Sequence, residues 1–500
     1  VVEGVPGRLV GDLKAASMTD SSSRIRRKLP SWRWESLRTT FWLVPTLLIG
    51  VAAVLLVVTL AIDLAAYHHR ITLPFWLRTG SADAGRQVLI AIAAAVITVV
   101  GVVFSITILA LTLASQQFGP RMMRNFVRDV GNQVTLGVFV ATFVYSVVVL
   151  GTITSNPGSR FGDFVPHLSI TVAEVLSLAD VAVLVYFIHH IAKSIQLPEV
   201  IAGIARDLTG AIDSEFPEQP PTDPGGDGEP VGNGRTVPEL LQLIDERGGM
   251  VPASTSGYLQ FVGYAQLVAI AARTDSVIRL NHRPGHFLVA GRPLATVWPQ
   301  GAATQVALAL EEAHVTGPHR TLMQDPVFAI DQLVEIAIRA LSPAVNDTFT
   351  ALTCIDWLSA GLSRVSGRPL VEGVYRDGFG RVRLIESDPS YARMVNRAFD
   401  KVRQAARGMP AVIIRMLDSL TSVVEQARTD EQRRTLVRQA DMILRSAEES
   451  VTEPQDMQDI RDRYGRMVRR AGLEAGQERT VSAPPPGPVS AGTDRTPGPE

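Results

Sequence analysis

Apolar positions along this chain fall into two regimes. Between residues 41 and 189 they form four near-continuous runs, at 41–62, 88–114, 134–153 and 168–189. A bilayer core of about 30 Å needs roughly 20 apolar residues in a helix, because lipid offers no partner to a backbone N–H or C=O. Each run meets that length, so the chain reads as an integral membrane protein with four transmembrane helices. No charge interrupts the first three runs, whereas the fourth contains Glu174 and Asp180. Beyond residue 193 the apolar residues recur at short helical or strand periods between polar stretches, which predicts a C-terminal α+β, mostly helical domain.

Within that second regime, Ile201, Ile204, Leu208 and Ile212 keep near 3.6-residue spacing and predict a helix over 195–216, continuing the fourth membrane helix with a kink at Pro198. The stretch 217–236 is rich in Pro and Gly and reads as a linker, followed by a helix over 237–245. A strand at 257–262, a helix at 264–273 and strands at 276–280, 286–289 and 295–298 give the order β, α, β, β of a small α+β module. Pro284-Gly285 and Gly291-Arg292-Pro293 supply its turns. Helices follow at 304–312, 325–341 and 347–362, then a strand pair at 370–375 and 381–386, then helices at 391–407, 410–428, 430–450 and 454–471. The organisation is thus a basic segment at 1–38, a four-helix membrane domain at 39–192, a helical extension and linker at 193–236, an α+β domain at 237–472 and a disordered tail at 473–500.

Charge sets the orientation, since short cationic segments stay on the cytoplasmic side. Lys14, Arg24, Arg26, Arg27, Lys28, Arg33 and Arg38 precede the first run, and Arg121, Arg124 and Arg128 lie between the second and third. The other two loops are less basic, with Asp63 and Asp83 partly balancing Arg70, Arg78 and Arg86, so both termini are expected in the cytoplasm of a bacterial inner membrane. The opening residues are polar, Ser-rich and basic, so the first run reads as a retained anchor rather than a cleavable signal. Composition fits an anchor fused to a folded domain: 46% hydrophobic, 19% charged, net charge −1. A single cysteine, Cys354, excludes an internal disulfide and a cysteine-rich zinc site, and the near-neutral charge argues against nucleic-acid binding.

The string FSITILALTLASQQFGPRMMRNFVRDVGNQVTLGVFVATFVYSVVVL from Phe104 to Leu150 resembles the core of a bacterial family of predicted membrane proteins, domain of unknown function 2254. IHHIAKSIQ from Ile188, SGYLQFV from Ser256, PGHFLVAGRPL from Pro284 and ALSPAVNDTFTA from Ala340 extend the likeness over roughly residues 33–444. Thr348 departs from it, since the family pattern favours proline after the Asn-Asp pair. The resemblance implies the fold and the membrane location, and implies no activity and no catalytic residue.

A carboxylate at mid-bilayer costs at least about 2.5 to 3.5 kcal/mol, so Asp180 and Glu174, about 9 Å apart along the helix axis, should face a bundle interior or an ion path. No Lys or Arg lies in any run, leaving hydroxyls, water, a proton or a cation as partners. Ser105, Thr107, Thr142 and Tyr145 are the candidates. Interhelical hydrogen bonding by a protonated Asp180 is the simpler alternative. On the second run Gly101, Ser105, Thr112 and Ser115 stay near one face, where they either let helices approach or line a narrow polar pore. Arg121, Arg124 and Arg128 suit lipid headgroups or an acidic surface of the C-terminal domain.

His189 and His190, at the inner end of the fourth run, suit pH sensing or interfacial packing, and a pair without a third ligand falls short of a metal site. In ALSPAVND, Asn346 or Asp347 should cap a helix, and Asp331, Glu335 and Asp347 are the acids that a divalent cation would use. PGHFLVAGRPL has the turn, strand, turn pattern of hairpins in small ligand-binding modules.

No GxxxxGKS/T, GxSxG, HExxH, helix-opening GxGxxG or Cys/His cluster is present, so neither an enzyme nor a cofactor is expected. No internal repeat of the kind that builds transporters is visible. The expectation is therefore a homo-oligomeric ion channel or ion-conducting assembly gated by its cytoplasmic domain. The alternative is a membrane-anchored sensor or scaffold whose domain binds a protein or small ligand.

Overall fold

A computed structural model describes residues 42–68, 70–71, 74, 81–118, 129–154, 164–216, 218, 235–369, 373–386 and 391–472. The basic N-terminal segment, Arg121, Arg124 and Arg128, most of the linker, the tail and the side chain of Ser115 lie outside the described residues.

Four long apolar helices come first: α1 (Leu43–Tyr67), α2 (Ala82–Phe118), α3 (Val130–Thr152) and α4 (His167–Ser194). All four are long and apolar enough to cross a membrane, and the chain is a multi-pass membrane protein in a lipid bilayer. The helices outrun their apolar runs. Asp63 lies inside α1 rather than in a loop, and α3 begins before Asn132 and Gln133. The third helix is the most enclosed and touches the other three. Phe139, Tyr145 and Val149 meet Leu89, Ile170 and Phe187 in the bundle core. A Cβ at Gly137 would fall 2.7 Å from a Leu48 methyl and 3.0 Å from the Pro45 Cα, so the missing side chain permits the close α1–α3 approach. Outward faces are apolar, with Val54 and Val57 on α1 and Leu178 and Val185 on α4 exposed, as lipid requires.

The helix does not continue through a kink after α4. Gln196 is extended (φ −73°, ψ 126°), and a separate helix, α5 (Leu197–Glu215), starts with Pro198 in its first turn, where the missing N–H leaves no bond unmade. Its stripe of Ile201, Ile204, Leu208 and Ile212 is buried, making α5 part of the C-terminal core rather than a spacer.

The sequence then builds α6 (Val237–Arg247), β1 (Gly249–Pro252), β2 (Gly257–Val262), α7 (Tyr264–Arg273), β3 (Val277–Leu280), β4 (Phe287–Leu288), β5 (Pro293–Trp298), α8 (Ala303–Ala313) and β6 (His314–Gly317). Next come α9 (Pro326–Ala340), α10 (Thr348–Ser366), β7 (Val374–Arg376), β8 (Val382–Glu386), α11 (Tyr391–Ala405), α12 (Pro410–Val424), α13 (Asp430–Glu448) and α14 (Pro454–Ala471). The strands form a five-stranded sheet in the order β1-β5-β3-β8-β7, with β3 and β8 parallel, and a three-stranded sheet β4-β2-β6. The late pair β7–β8 therefore completes the earlier module instead of standing apart from it. Alternation decides which side each residue serves: Ile278 enters the core under α7 and α8, while Val277 faces α6. Helices α5 and α9 to α14 bury a second, larger core. Thr429 and Gln432 form a reciprocal cap at the start of α13, and Gly472 (φ +66°) ends α14.

Candidate functional site

Buried polar side chains cluster along α3, and helices α1 and α4 supply their partners. At one end Asp63 of α1 is buried and its carboxylate accepts the Leu168 N–H (2.9 Å), the Ser169 N–H (2.9 Å) and the Ser169 hydroxyl (2.7 Å). An acid on one helix thus caps the N-terminus of another, where the unpaired donors and the helix dipole both favour negative charge. Beside it Tyr145 shares a 2.9 Å hydrogen bond with Thr59. In the middle of the bundle the Thr142 hydroxyl donates to Asp180 Oδ1 at 3.2 Å. At the other end Asp129 caps α3 through the Gly131 N–H (2.9 Å), and its second oxygen lies 2.6 Å from His190 Nε2. The Tyr186 ring stacks on His190, and a Cβ at Gly131 would collide with that imidazole.

Between these bonded ends lies a set of incompletely paired groups. Asp180 Oδ2, both side-chain polar atoms of Asn132, Thr135 Oγ1 and Ser146 Oγ are buried with no hydrogen-bond partner among the described residues. Asn132, Thr135, Thr142 and Ser146 recur at helical spacing and keep to one side of α3, over about 21 Å at ~1.5 Å per residue. A buried polar atom without a partner is costly, so these groups carry hydrogen-bonding capacity that the described residues do not use.

The expected intramembrane residues divide accordingly. Asp180 and Thr142 come together. Tyr145 is buried but bonds Thr59, not Asp180. Glu174 is half-buried and forms no hydrogen bond or ion pair among the described residues. Ser105 and Thr112 are exposed on α2 and donate back to the Gly101 and Ile108 carbonyls of their own helix (2.8 Å each), and Thr107 does the same to Val103. The polar face next to Asp180 belongs to α3, not α2. Sequence reading missed Asp63, Asp129 and Asn132 because each stands where an apolar run ends. Asp63 follows Thr59 by one helical turn, a signal that the helix carries on.

In the C-terminal region Asp331, Glu335, Asn346 and Asp347 do not assemble into one site. Asp331 receives Arg320 (2.5 Å) and Arg397 (2.5 Å), and Asp347 caps α10 by accepting the Thr350 N–H (3.1 Å) and hydroxyl (2.6 Å). The Thr350 donors hold the Asp347 carboxyl below the usual carboxylate range. Asn346 occupies the left-handed region at φ +50°. Among the described residues no group of three His, Cys, Asp or Glu side chains is placed to hold a metal.

A cleft unforeseen from the sequence opens where the sheet module meets the helical layer. Its cavity volume is about 70 Å³, partly open to solvent, and Tyr264, Arg283, Asp325, Tyr375, Glu386 and Met394 are among its walls. Glu386 accepts the hydroxyls of Tyr264 (2.8 Å) and Tyr375 (3.4 Å), whose rings stack 4.9 Å apart. Burial pushes the Glu386 carboxyl up, against the opposing pull of the Tyr264 hydroxyl and Arg283. Asp325, bound by Arg320, is likewise raised by burial, and burial followed by Arg283 and Arg393 drives His286 down to about 4.

No solved structure matches this chain. It is 32% identical over 383 residues to the uncharacterized proteins Rv1290c of Mycobacterium tuberculosis (strain H37Rv) and Mb1321c of Mycobacterium bovis, covering 75% of this chain and 71% of each relative. The profile of one family, described as predicted membrane protein (DUF2254), matches residues 38–422. With four membrane-spanning helices and a match over most of its length, the chain belongs to the DUF2254 family of predicted membrane proteins.

Proposed function

We propose that this protein is an ion-conducting membrane protein whose path runs along the polar side of α3 and past Asp180 on α4, with the C-terminal region as its regulator. The row of buried, unpartnered polar atoms at Asn132, Thr135, Ser146 and Asp180 carries the reading. Static helix packing gains nothing from such a row, whereas water or a permeating ion would satisfy it. The Lys and Arg content of the flanking segments supports placing both termini, and with them the C-terminal region, in the cytoplasm. The outward hydroxyls of Ser105 and Thr112 support contact between copies through α2, in a homo-oligomer. We assign it no catalytic step. Ionic current across a planar bilayer containing the purified protein is the test. Asp180→Asn should change its selectivity or pH dependence, and a folded protein that stays silent at all voltages and pH values overturns the proposal.

The cleft at Glu386 favours a second reading, a membrane-anchored sensor for a small ligand. Under that reading an unrelated four-helix anchor replaces residues 39–192 without loss of phenotype; under the conducting reading it does not.

A further inference from the structure

The turn between α9 and α10 carries an apolar tip that nothing among the described residues covers. Pro343, Ala344 and Val345 are exposed, Val345 at 54%, and Phe349 in the first turn of α10 is 83% exposed. This is not a loose loop. The Val345 and Asn346 N–H groups both donate to the Ser342 carbonyl (3.0 and 2.9 Å), Asp347 N–H donates to the Ala340 carbonyl (2.8 Å), and Asp347 caps α10. Asn346 in the left-handed region reverses the chain so that its neighbours stand outward.

Its place relative to the bilayer follows from helix register. Helix α10 runs parallel to α5. A Cβ on Gly361 would fall 2.6 Å from Leu208, Arg364 binds Asp213 at 2.6 Å, and Arg368 binds the Ile212 carbonyl at 3.1 Å. Two parallel helices rise alike, so stepping back about 13 residues from the Gly361–Leu208 contact brings Thr348 level with Ile195. Ile195 immediately follows the last residue of the membrane-spanning α4. The apolar tip therefore stands level, along the α5 axis, with the end of the membrane-spanning α4.

We infer that Val345 and Phe349 dip into the headgroup and acyl boundary of the bilayer that α4 spans, making the ALSPAVNDTF turn a second membrane contact of the C-terminal region. The inference does not depend on ion conduction. Continuity selects lipid as the occupant, because the tip stands level with the end of the membrane-spanning α4, and a rigid turn presenting Val and Phe is the chemistry that interfacial insertion uses. Such a contact would fix the helical layer against the membrane through α9 and α10 as well as through α5.

The full-length protein in phosphatidylcholine vesicles tests this with an environment-sensitive fluorophore attached through Val345→Cys, which leaves Phe349 in place. Cys354, the sole native cysteine, is fully buried, and burial pushes its thiol up to about 12, so labelling is selective. Phe379→Cys, at an equally exposed phenylalanine (83%) between β7 and β8, gives the aqueous control. Lipids carrying a nitroxide high on the acyl chain should quench the probe at position 345 at least twofold and leave position 379 unchanged, while iodide should do the reverse. Equal iodide quenching at both positions overturns the inference by leaving the tip in water. Shielding from iodide without lipid quenching also overturns it and assigns the tip to a second copy or another part of the chain. Ala344→Cys provides an independent labelling position should the first variant not fold.

Discussion

In the C-terminal region Arg383 is 3% exposed, and its guanidinium donates to Asp377 (2.8 Å), Asp275 (2.9 Å) and the Ser276 carbonyl (3.3 Å), whereas in the membrane bundle Asp180 is 4% exposed and one of its oxygens has no donor. Arg368 repeats the first pattern, tying Asp213 to the C-terminal carbonyls of α5, and Asp331 repeats it with two arginines. Orphan atoms occur in the C-terminal region too, but each is one atom of its side chain: Gln332 Oε1 on α9, Arg403 Nε on α11, and Gln432 Nε2 and Gln439 Oε1 on α13. Those of the bundle, His167 Nδ1 at the start of α4 apart, share one side of α3 and the facing carboxylate of Asp180. Polar burial thus has two uses in one chain. At the buried Arg383, Arg368 and Asp331 it locks elements together through ion pairs, and along α3 it leaves capacity unfilled where filling it from the solvent is the function we propose.

Breaking a complete pair should produce the largest effect. Arg383→Met takes the cation from the Asp377 carboxylate, whose side chain is 6% exposed and keeps only the Phe379 and Arg381 N–H groups, and should cost about 3 kcal/mol of stability, read from denaturant unfolding of the purified protein. Asp63→Ala comes next. It strips three hydrogen bonds from the start of α4 and should cost about 2 kcal/mol in detergent-solubilised protein, with Asp63→Asn recovering part of it.

The orphan row along α3 should respond in the opposite sense. Ser146→Ala and Thr135→Val remove orphan hydroxyls, so stability should hold or rise by about 0.5 kcal/mol while conductance falls. A stability loss equal to that of Arg383→Met would erase the contrast between the two regions.

The smallest effect concerns pH. The imidazole of His286 has its pKa lowered from 6.5 to about 4 by burial and then by Arg283 and Arg393, so the folded protein binds this proton less readily than the unfolded chain. Its contribution is complete above pH 6.5 and is lost as pH falls toward 4. The stability difference between the parent and His286→Gln should therefore vary across that window and stay constant above it.

Much of the architecture was legible because it rests on local patterns. Run length alone placed four spans, and the apolar stripe of α5 announced a buried face, though not which core would receive it. Short strands were the weak point. In β1, GMVP, and β6, HVTG, there is too little alternation to see, and both exist because neighbouring strands bind them. Pairing of β3 with β8 and the bond from Tyr264 to Glu386 join residues more than 100 positions apart, so neither the single sheet nor the cleft could be read from spacing. Asp180 stood out because a charge within an apolar run is conspicuous. Asp63 and Asp129 did not, since a charge at the edge of a run looks like a loop until a neighbouring helix is seen to use it.

Water access to Ser146 tests the central claim most directly. Ser146→Cys and Val147→Cys place thiols on adjacent positions of α3, the first at 0% exposure among the orphan groups and the second at 42% on the face turned to lipid. A small membrane-impermeant methanethiosulfonate reagent needs a thiolate, which forms only in contact with water. The account predicts that the reagent modifies Ser146→Cys and blocks its current while Val147→Cys stays unreactive. A thiol at position 146 as inert as that at 147, in a folded protein, would contradict a hydrated path along α3.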